Sequence, residues 1–139
     1  MSPFSTSEPE ISIPIREECD VAMARKSVRE AALRAKLALA AQEAIVIAVS
    51  EIARNIIVHA VEGEIRIRIV ERQGGLGVEA VVNDNGPGIM DVGRALEDGY
   101  STTNSLGLGL AGAKRLVDEF EIVSEYGSGT TVLLRKWST

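Results

Sequence analysis

The sequence predicts an α+β fold, a two-layer α/β sandwich in which helices cover one face of a mixed, largely antiparallel sheet. Two long segments have the apolar pattern of helices, and several shorter segments alternate apolar with other residues as strands do. Two glycine-containing turns, at 73–75 and 127–129, would join neighbouring strands as hairpins, and hairpin strands are antiparallel. These observations together favour antiparallel strand pairs on one side of the domain and helices on the other.

The first half of the chain is predicted to form a strand, two helices and a hairpin. Isoleucines alternate with other residues over 11–15, which indicates a strand. Residues 17–36 have apolar residues at helical spacing, and residues 40–60 are apolar around most of a helical surface. We expect this second helix to be buried on several sides and to end at Gly63. In 65–70 the isoleucines alternate with Arg66 and Arg68, so one face of this strand should be buried and the other largely solvated.

The second half is predicted to contain a further strand, two helices and a final hairpin. The β-branched run that follows the turn at 73–75 indicates a strand that ends at Asp84. The remaining elements are a short helix over 91–98, a loop over 99–106, a helix over 108–119, and strands over 120–125 and 130–136.

Composition predicts one soluble domain. We assign residues 10–139 to it and expect residues 1–9, which are rich in Ser, Pro and Thr, to be a disordered tail. The net charge of −5 argues against a nucleic-acid partner. Cys19 is the only cysteine, so no intramolecular disulfide can form, and no apolar run approaches the ~20 residues that span a bilayer. We therefore expect a cytoplasmic protein with no membrane partner.

The segment from Asp84 to Gly88, with the sequence Asp-Asn-Gly-Pro-Gly, indicates a ligand site. A strand that stops at an Asp and continues through Gly86 and Gly88 leaves open backbone, where a flat group could lie close. On its own the pentapeptide is more typical of an ordinary turn.

Glu51 and Asn55 interrupt the second, otherwise apolar helix. They are four residues apart and therefore lie one turn apart on the same helix face. The alternative interpretation is a solvated stripe at the helix surface, although the neighbouring Ile and Val residues argue against it. In a functional interpretation, Asn55 supplies a neutral oxygen ligand to Mg²⁺, and Glu51 accepts a proton from an attacking hydroxyl group.

Glycines 107, 109 and 112 surround the start of a predicted helix. Unpaired amides at a helix N-terminus attract phosphate. The alternative is a flexible connector followed by close helix packing at Gly112, which is the interpretation we favour for Gly112 alone.

These three segments, in this order, resemble the GHKL ATPase superfamily with its Bergerat ATP-binding fold, over residues 10–137. The resemblance implies Mg-ATP as the ligand, with Asn55 as the metal ligand and Glu51 as the catalytic base. It implies that Asp84 accepts a hydrogen bond from the adenine amino group, while Gly86 and Gly88 permit its close approach. The remaining nucleotide-binding residues that it implies are Ser101, Thr102, Gly107, Leu108, Gly109 and Thr130.

The segments at 98–103, 106–110 and 114–120 resemble, within that superfamily, the RsbT-type switch serine/threonine kinases of bacterial stressosome modules. This resemblance implies transfer of the ATP γ-phosphate to Ser or Thr of STAS-domain partner proteins, followed by activation of a PP2C-type phosphatase. The chain has no Lys or Arg between Tyr100 and Ala113, where related kinases carry basic residues. Ser101, Thr102 and the helix amides would then do more of the phosphate binding, or a basic residue would substitute: Arg54, Lys114 or Arg115.

The alternative function is an anti-sigma factor that mainly sequesters a sigma factor. A histidine-kinase catalytic domain is less consistent with the sequence, because the only histidine, His59, lies inside the helix that carries Glu51 and Asn55. We expect His59 to have a packing or capping role.

Overall fold

A computed structural model describes residues 5–6, 9–59, 62–86, 106–125 and 127–138. Within these ranges the elements follow the predicted order, and the predicted helix over 91–98 lies outside them. The elements are β1 (Ser5–Thr6), β2 (Ile11–Ile15), α1 (Glu18–Arg34), α2 (Leu39–His59), β3 (Gly63–Arg72), β4 (Gly75–Asp84), α3 (Leu106–Leu116), β5 (Glu119–Glu125) and β6 (Gly129–Trp137).

The described strands form one sheet in the order β1-β3-β4-β6-β5, and β2 pairs with β3 beside β1. Every pairing among them is antiparallel. The predicted α+β two-layer fold is confirmed, but this part of the sheet is antiparallel throughout and not mixed. The reason is that the last hairpin places β6, and not β5, next to β4. The strand β5, which follows α3, lies at the edge of the sheet. The strand β6 runs opposite to β5 and lies next to β4, so the neighbour of β4 is antiparallel to it.

Strand β1 lies inside the segment that the sequence predicts as a disordered tail. Ser5 pairs with Glu71 and Thr6 pairs with Val70, so these two residues extend the sheet along the far end of β3. At ten residues, β3 is long enough to pair with β1 and β2 one after the other. In these two residues the structure departs from the predicted tail.

Helices α1, α2 and α3 cover one face of the sheet, and the hydrophobic core lies between the two layers. Alternate residues of β3 and β4 point into this core, which confirms the predicted strand pattern. In α1 the apolar positions are mostly alanine, so α1 and α2 can pack closely. The buried sheet residues include Ile65, Ile67, Ile69, Val78, Ala80, Val82, Val132 and Leu134.

The other face of the sheet, here called the open face, carries a row of alternating charges across four strands. Arg68, Glu79, Arg135 and Glu119 are cross-strand neighbours in that order. Glu79 Oε1 lies 2.8 Å from Arg68 Nε, and Glu79 Oε2 lies 2.7 Å from Arg135 Nε. Glu79 is only 1% exposed and Arg135 6%. The sequence predicts a largely solvated face for the strand over 65–70, and Arg68 departs from that prediction because its side chain pairs with the buried Glu79.

Candidate active site

Asp84 is the last residue of β4, and it lies on the face that the helices cover. It pairs with Gly63 of β3 and with Thr130 of β6. Its partly exposed carboxylate accepts one hydrogen bond through Oδ1, from the backbone N–H of Gly86 at 2.8 Å. Within the described residues no donor reaches Oδ2. An ionised carboxylate can accept several hydrogen bonds, so this group has capacity left for a ligand donor.

Two glycines let neighbouring backbones approach the end of β4. A Cβ on Gly63 would clash with the backbone oxygen of Asn83, and a Cβ on Gly129 would clash with that of Asp84. Gly129 also has φ +91°, which side-chain-bearing residues rarely adopt. Backbone therefore packs against Asp84 from both sides, and this fixes its position in the sheet.

Thr130 faces the same side of the sheet as Asp84, directly across from it on β6. Its Oγ1 lies 2.9 Å from Oγ of Ser124, its neighbour on β5, and the Ser124 hydroxyl also lies 3.3 Å from the Gly129 carbonyl oxygen. The predicted residue Thr130 thus belongs to a hydroxyl pair beside the carboxylate. Ser124 could not be predicted from the sequence, because only the strand register brings it to this place.

Glu51 and Asn55 lie on α2, one turn apart, and both are partly exposed. The Asn55 Nδ2 atom is buried and has no hydrogen-bond partner within the described part of the chain. A buried donor left unpaired costs about 1–3 kcal/mol. Such a group marks a place where a ligand would supply the missing partner.

The turn of α2 that carries Asn55 lies close to the end of β4. The Ile56 side chain occupies the space in front of Gly63, where a Cβ would approach Ile56 Cδ1 to 2.8 Å. Since Gly63 pairs with Asp84, Asn55 and Asp84 lie at the same end of the domain, between the helices and the sheet. The structure brings together the predicted residues Asn55, Asp84 and Thr130.

The amide side chain of Asn55 is suited to Mg²⁺. The described residues contain no cluster of three or more His, Cys, Asp or Glu side chains that could hold a metal ion. Mg²⁺ usually keeps several waters and is bound by one or two protein ligands together with substrate phosphates. The Asn55 Oδ1 atom would be the neutral oxygen ligand, and the buried Nδ2 donor would bond to an acceptor such as a phosphate oxygen of the nucleotide that brings the metal.

Helix α3 begins at Leu106, so Gly107, Leu108 and Gly109 lie in its first turn, where backbone N–H groups have no partner within the helix. The close packing expected at Gly112 is not found, since a Cβ there would meet no described atom within 4 Å. The predicted site residues Gly88, Ser101 and Thr102 lie outside the described residues.

The three candidate basic residues differ in position. Lys114 and Arg115 lie in the last turn of α3. At a rise of about 1.5 Å per residue this is roughly 12 Å from the first turn. Arg54 precedes Asn55 on α2, and its Nε lies 3.9 Å from Glu18 Oε1 on α1. Among the three, Arg54 alone lies on the same helix as Glu51 and Asn55.

Comparison with known proteins identifies the same kind of domain. The histidine kinase-like ATPase domain family matches residues 13–136. The chain is 41% identical over 125 residues to serine/threonine-protein kinase RsbT of Bacillus subtilis, covering 90% of this chain and 94% of that protein. It is 36% identical over 98 residues to an anti-sigma F factor of Halalkalibacterium halodurans, covering 66% of each.

A solved structure agrees on the fold. The RsbU and RsbW domains of Rv1364c from Mycobacterium tuberculosis superpose with a TM-score of 0.66 at 23% identity, over 95% of this chain and 33% of that chain.

None of the described helices combines the length and apolar character needed to cross a membrane.

These matches confirm the resemblance that the motifs indicated. They also confirm the predicted enzyme class, an ATP-dependent protein serine/threonine kinase. Because the family matches this chain over nearly the chain's whole length, the chain belongs to the histidine kinase-like ATPase domain family.

Proposed function

We propose that this protein transfers the γ-phosphate of Mg-ATP to a Ser or Thr of a STAS-domain partner in a stress-response partner-switching module. The observation that carries the proposal is the buried amide nitrogen of Asn55, which has no acceptor within the described residues and lies at the same end of the domain as the Asp84 carboxylate. The similarity to serine/threonine-protein kinase RsbT supports a protein hydroxyl group as the acceptor.

Asp84 recognises adenine in this proposal. Oδ1 is held by the Gly86 N–H, and Oδ2 accepts a hydrogen bond from the exocyclic amino group. A carboxylate can only accept, so it favours adenine, which has an amino group at this edge, over guanine, which has a carbonyl oxygen there. Thr130 and Ser124 provide hydroxyl groups beside it.

Asn55 and the first turn of α3 bind the phosphate end of the nucleotide. Mg²⁺ bound through Asn55 would neutralise negative charge on the phosphates. The amides of Gly107, Leu108 and Gly109 are donors for phosphate oxygens, and by resemblance Ser101 and Thr102 add hydroxyl donors.

Glu51 acts as the general base. The acceptor hydroxyl oxygen attacks the γ-phosphorus, its proton passes to the Glu51 carboxylate, and the bond from the γ-phosphorus to the bridging oxygen breaks to release ADP. Glu51 lies one helical turn before Asn55, so base and metal ligand are neighbours on one face of α2.

The transferred phosphate would act as a switch on the partner. A phosphoserine or phosphothreonine adds about −1.5 to −2 of charge at neutral pH, which disfavours a complex with this acidic chain, of net charge −5. The released kinase would then activate a PP2C-type phosphatase. The second candidate function is an anti-sigma factor that mainly sequesters a sigma factor, and the 36% identity to an anti-sigma F factor favours it.

The Glu51→Gln substitution separates these functions. It keeps the size of the side chain but removes the proton acceptor, so phosphotransfer to a STAS-domain protein should fall by at least about tenfold, the low end of what a general base contributes. Nucleotide affinity and partner binding should stay near those of the wild type. Labelled ATP measures phosphotransfer, and a pull-down measures partner binding. Glu43→Gln, two turns earlier on the exposed side of α2, is the matched control. A wild-type chain that binds its partner and yields no phosphoprotein would establish sequestration instead.

Replacing Asn55 with Ala should abolish phosphotransfer at ordinary Mg²⁺ concentrations, because the metal loses its protein ligand. The same assay measures it, with Asn83→Ala as the control. Normal phosphotransfer by Asn55→Ala would show that Asn55 is not the metal ligand.

A further inference from the structure

Asn85 is the first residue after the paired part of β4, and it forms a two-point bridge to Glu62. Its backbone N–H donates to the Glu62 carbonyl oxygen at 3.2 Å. Its side-chain Oδ1 accepts from the Glu62 backbone N–H at 3.3 Å. The regular pairing of β3 with β4 ends at Gly63 and Asp84, so this side chain continues the ladder by one step.

Glu62 is itself attached to the sheet. It directly precedes β3, and its Oε2 lies 3.1 Å from Nε of Arg16, just beyond the end of β2. The bridge from Asn85 therefore ends on the residue that directly precedes β3, and that residue also forms an exposed ion pair with Arg16.

Asn85 is also the middle residue of the turn that orients the Asp84 carboxylate. The bond that holds Oδ1 comes from the Gly86 N–H, on the far side of Asn85. Gly63 and Gly129 approach the backbone of Asn83, Asp84 and Asn85, which fixes the end of β4 within the sheet. The direction of the carboxylate depends on how the turn over 84–86 is held, and the Asn85 bridge holds it.

We infer that Asn85 is a positioning residue for adenine recognition: its bridge to Glu62 fixes the turn over 84–86, so that one oxygen of Asp84 faces the exocyclic amino group of the base. This inference rests on the proposed role of Asp84. Asn85 itself need not touch the nucleotide.

The test compares two nucleotides that differ only in the exocyclic amino group, ATP and purine riboside triphosphate. Loss of one neutral hydrogen bond corresponds to roughly a two- to tenfold change in an equilibrium constant. Asn85→Ala should therefore weaken ATP binding by about three- to tenfold in calorimetry. Binding of purine riboside triphosphate should not change, because that ligand has no amino group for the carboxylate to meet.

Two further variants make the result specific. Asn83→Ala is the same substitution two residues earlier, on the face of β4 opposite to Asp84, and it should leave both affinities unchanged. Asn85→Asp keeps an acceptor oxygen for the Glu62 N–H and should restore the preference for ATP.

The outcomes separate this inference from the proposal on which it rests. A wild type that binds both nucleotides equally would overturn the adenine role of Asp84, and the Asn85 inference with it. A wild type that prefers ATP, combined with an Asn85→Ala variant that loses both nucleotides equally or loses neither, would overturn only the inference.

Discussion

Strand β4 carries two acidic residues, Glu79 and Asp84, whose surroundings are opposite in kind. Glu79 lies on the open face with 1% of its surface exposed, and each of its oxygens bonds to an arginine, at 2.8 and 2.7 Å. Asp84 lies on the helix-covered face, is partly exposed, and accepts one bond within the described residues. Burial and charge alone therefore do not identify a binding carboxylate. Unused hydrogen-bonding capacity of the carboxylate distinguishes Asp84 from Glu79.

The largest effect in this comparison is expected from Glu79→Ala. The substitution removes the partner that Arg68 and Arg135 share, while Glu119 Oε1 remains 3.5 Å from Arg135 Nη1. We therefore expect a loss near the lower end of the about 3–5 kcal/mol that breaking a buried ion pair costs. Urea unfolding should show this loss, while the folded fraction should bind ATP with nearly wild-type affinity. Glu79→Gln is the control for size and should lose less, because it still offers one acceptor. Wild-type stability in the alanine variant would mean that the arginines find water instead.

Asp84→Ala should have the opposite effect to Glu79→Ala: weaker ATP binding with nearly unchanged stability. Loss of a hydrogen bond to a charged acceptor costs about 1.5–3 kcal/mol. This corresponds to a roughly 10- to 150-fold weaker ATP affinity. The free energy of unfolding should change by no more than about 1 kcal/mol, since the Gly86 N–H is the only described donor that loses its acceptor. Calorimetry and urea unfolding measure the two quantities. Unchanged ATP affinity would place adenine recognition elsewhere.

The smallest effect is expected from Asp84→Asn, which sharpens the comparison by removing charge at nearly constant shape. The asparagine oxygen can still accept from the adenine amino group, but as a neutral group it gains about 1 kcal/mol less. ATP affinity should fall by about fivefold. The ratio of ATP to GTP affinity should fall as well, because the new amide can donate to the guanine oxygen. An unaltered ratio would show that the base is selected by other residues.

Much of the fold and the centre of the candidate site could be predicted because they depend on local patterns. The apolar spacing of α1 and α2 predicted both helices to within about two residues at each end. Asp84 and Asn55 were predicted from short motifs, and the structure brings them to one end of the domain.

What the sequence did not predict depends on strand register. Glu79 and Arg135 are 56 residues apart and meet only because β4 pairs with β6 in one register. The contacts of Asn85 with Glu62 likewise join residues 23 apart. No local pattern specifies such partners, so Arg68 was expected to be largely solvated and its pairing with Glu79 was not predicted.

The end of α3 shows how tertiary contacts override helix propensity. The sequence predicted a helix to residue 119, but α3 ends at Leu116. The Asp118 N–H donates to the Arg135 carbonyl oxygen at 3.0 Å, and the Trp137 N–H donates to Asp118 Oδ2 at 2.8 Å. These bonds to β6 draw the chain out of the helix and into β5, which begins at Glu119, three residues after Leu116.

The outer strand β5 affects how the protein behaves when copies crowd together. Among the described strands it pairs only with β6, so within the described residues its other edge has no strand partner, and such an edge can pair with an approaching strand. Val123, at 69% exposed, would favour such contact. Yet β5 carries Glu119, Glu121 and Glu125 and no basic residue, so two copies that join at this edge bring like charges together. Repulsion of this kind is screened beyond about 10 Å at 0.1 M salt. Protection against fibre-like growth along this edge is thus an electrostatic property, and it weakens as ionic strength rises.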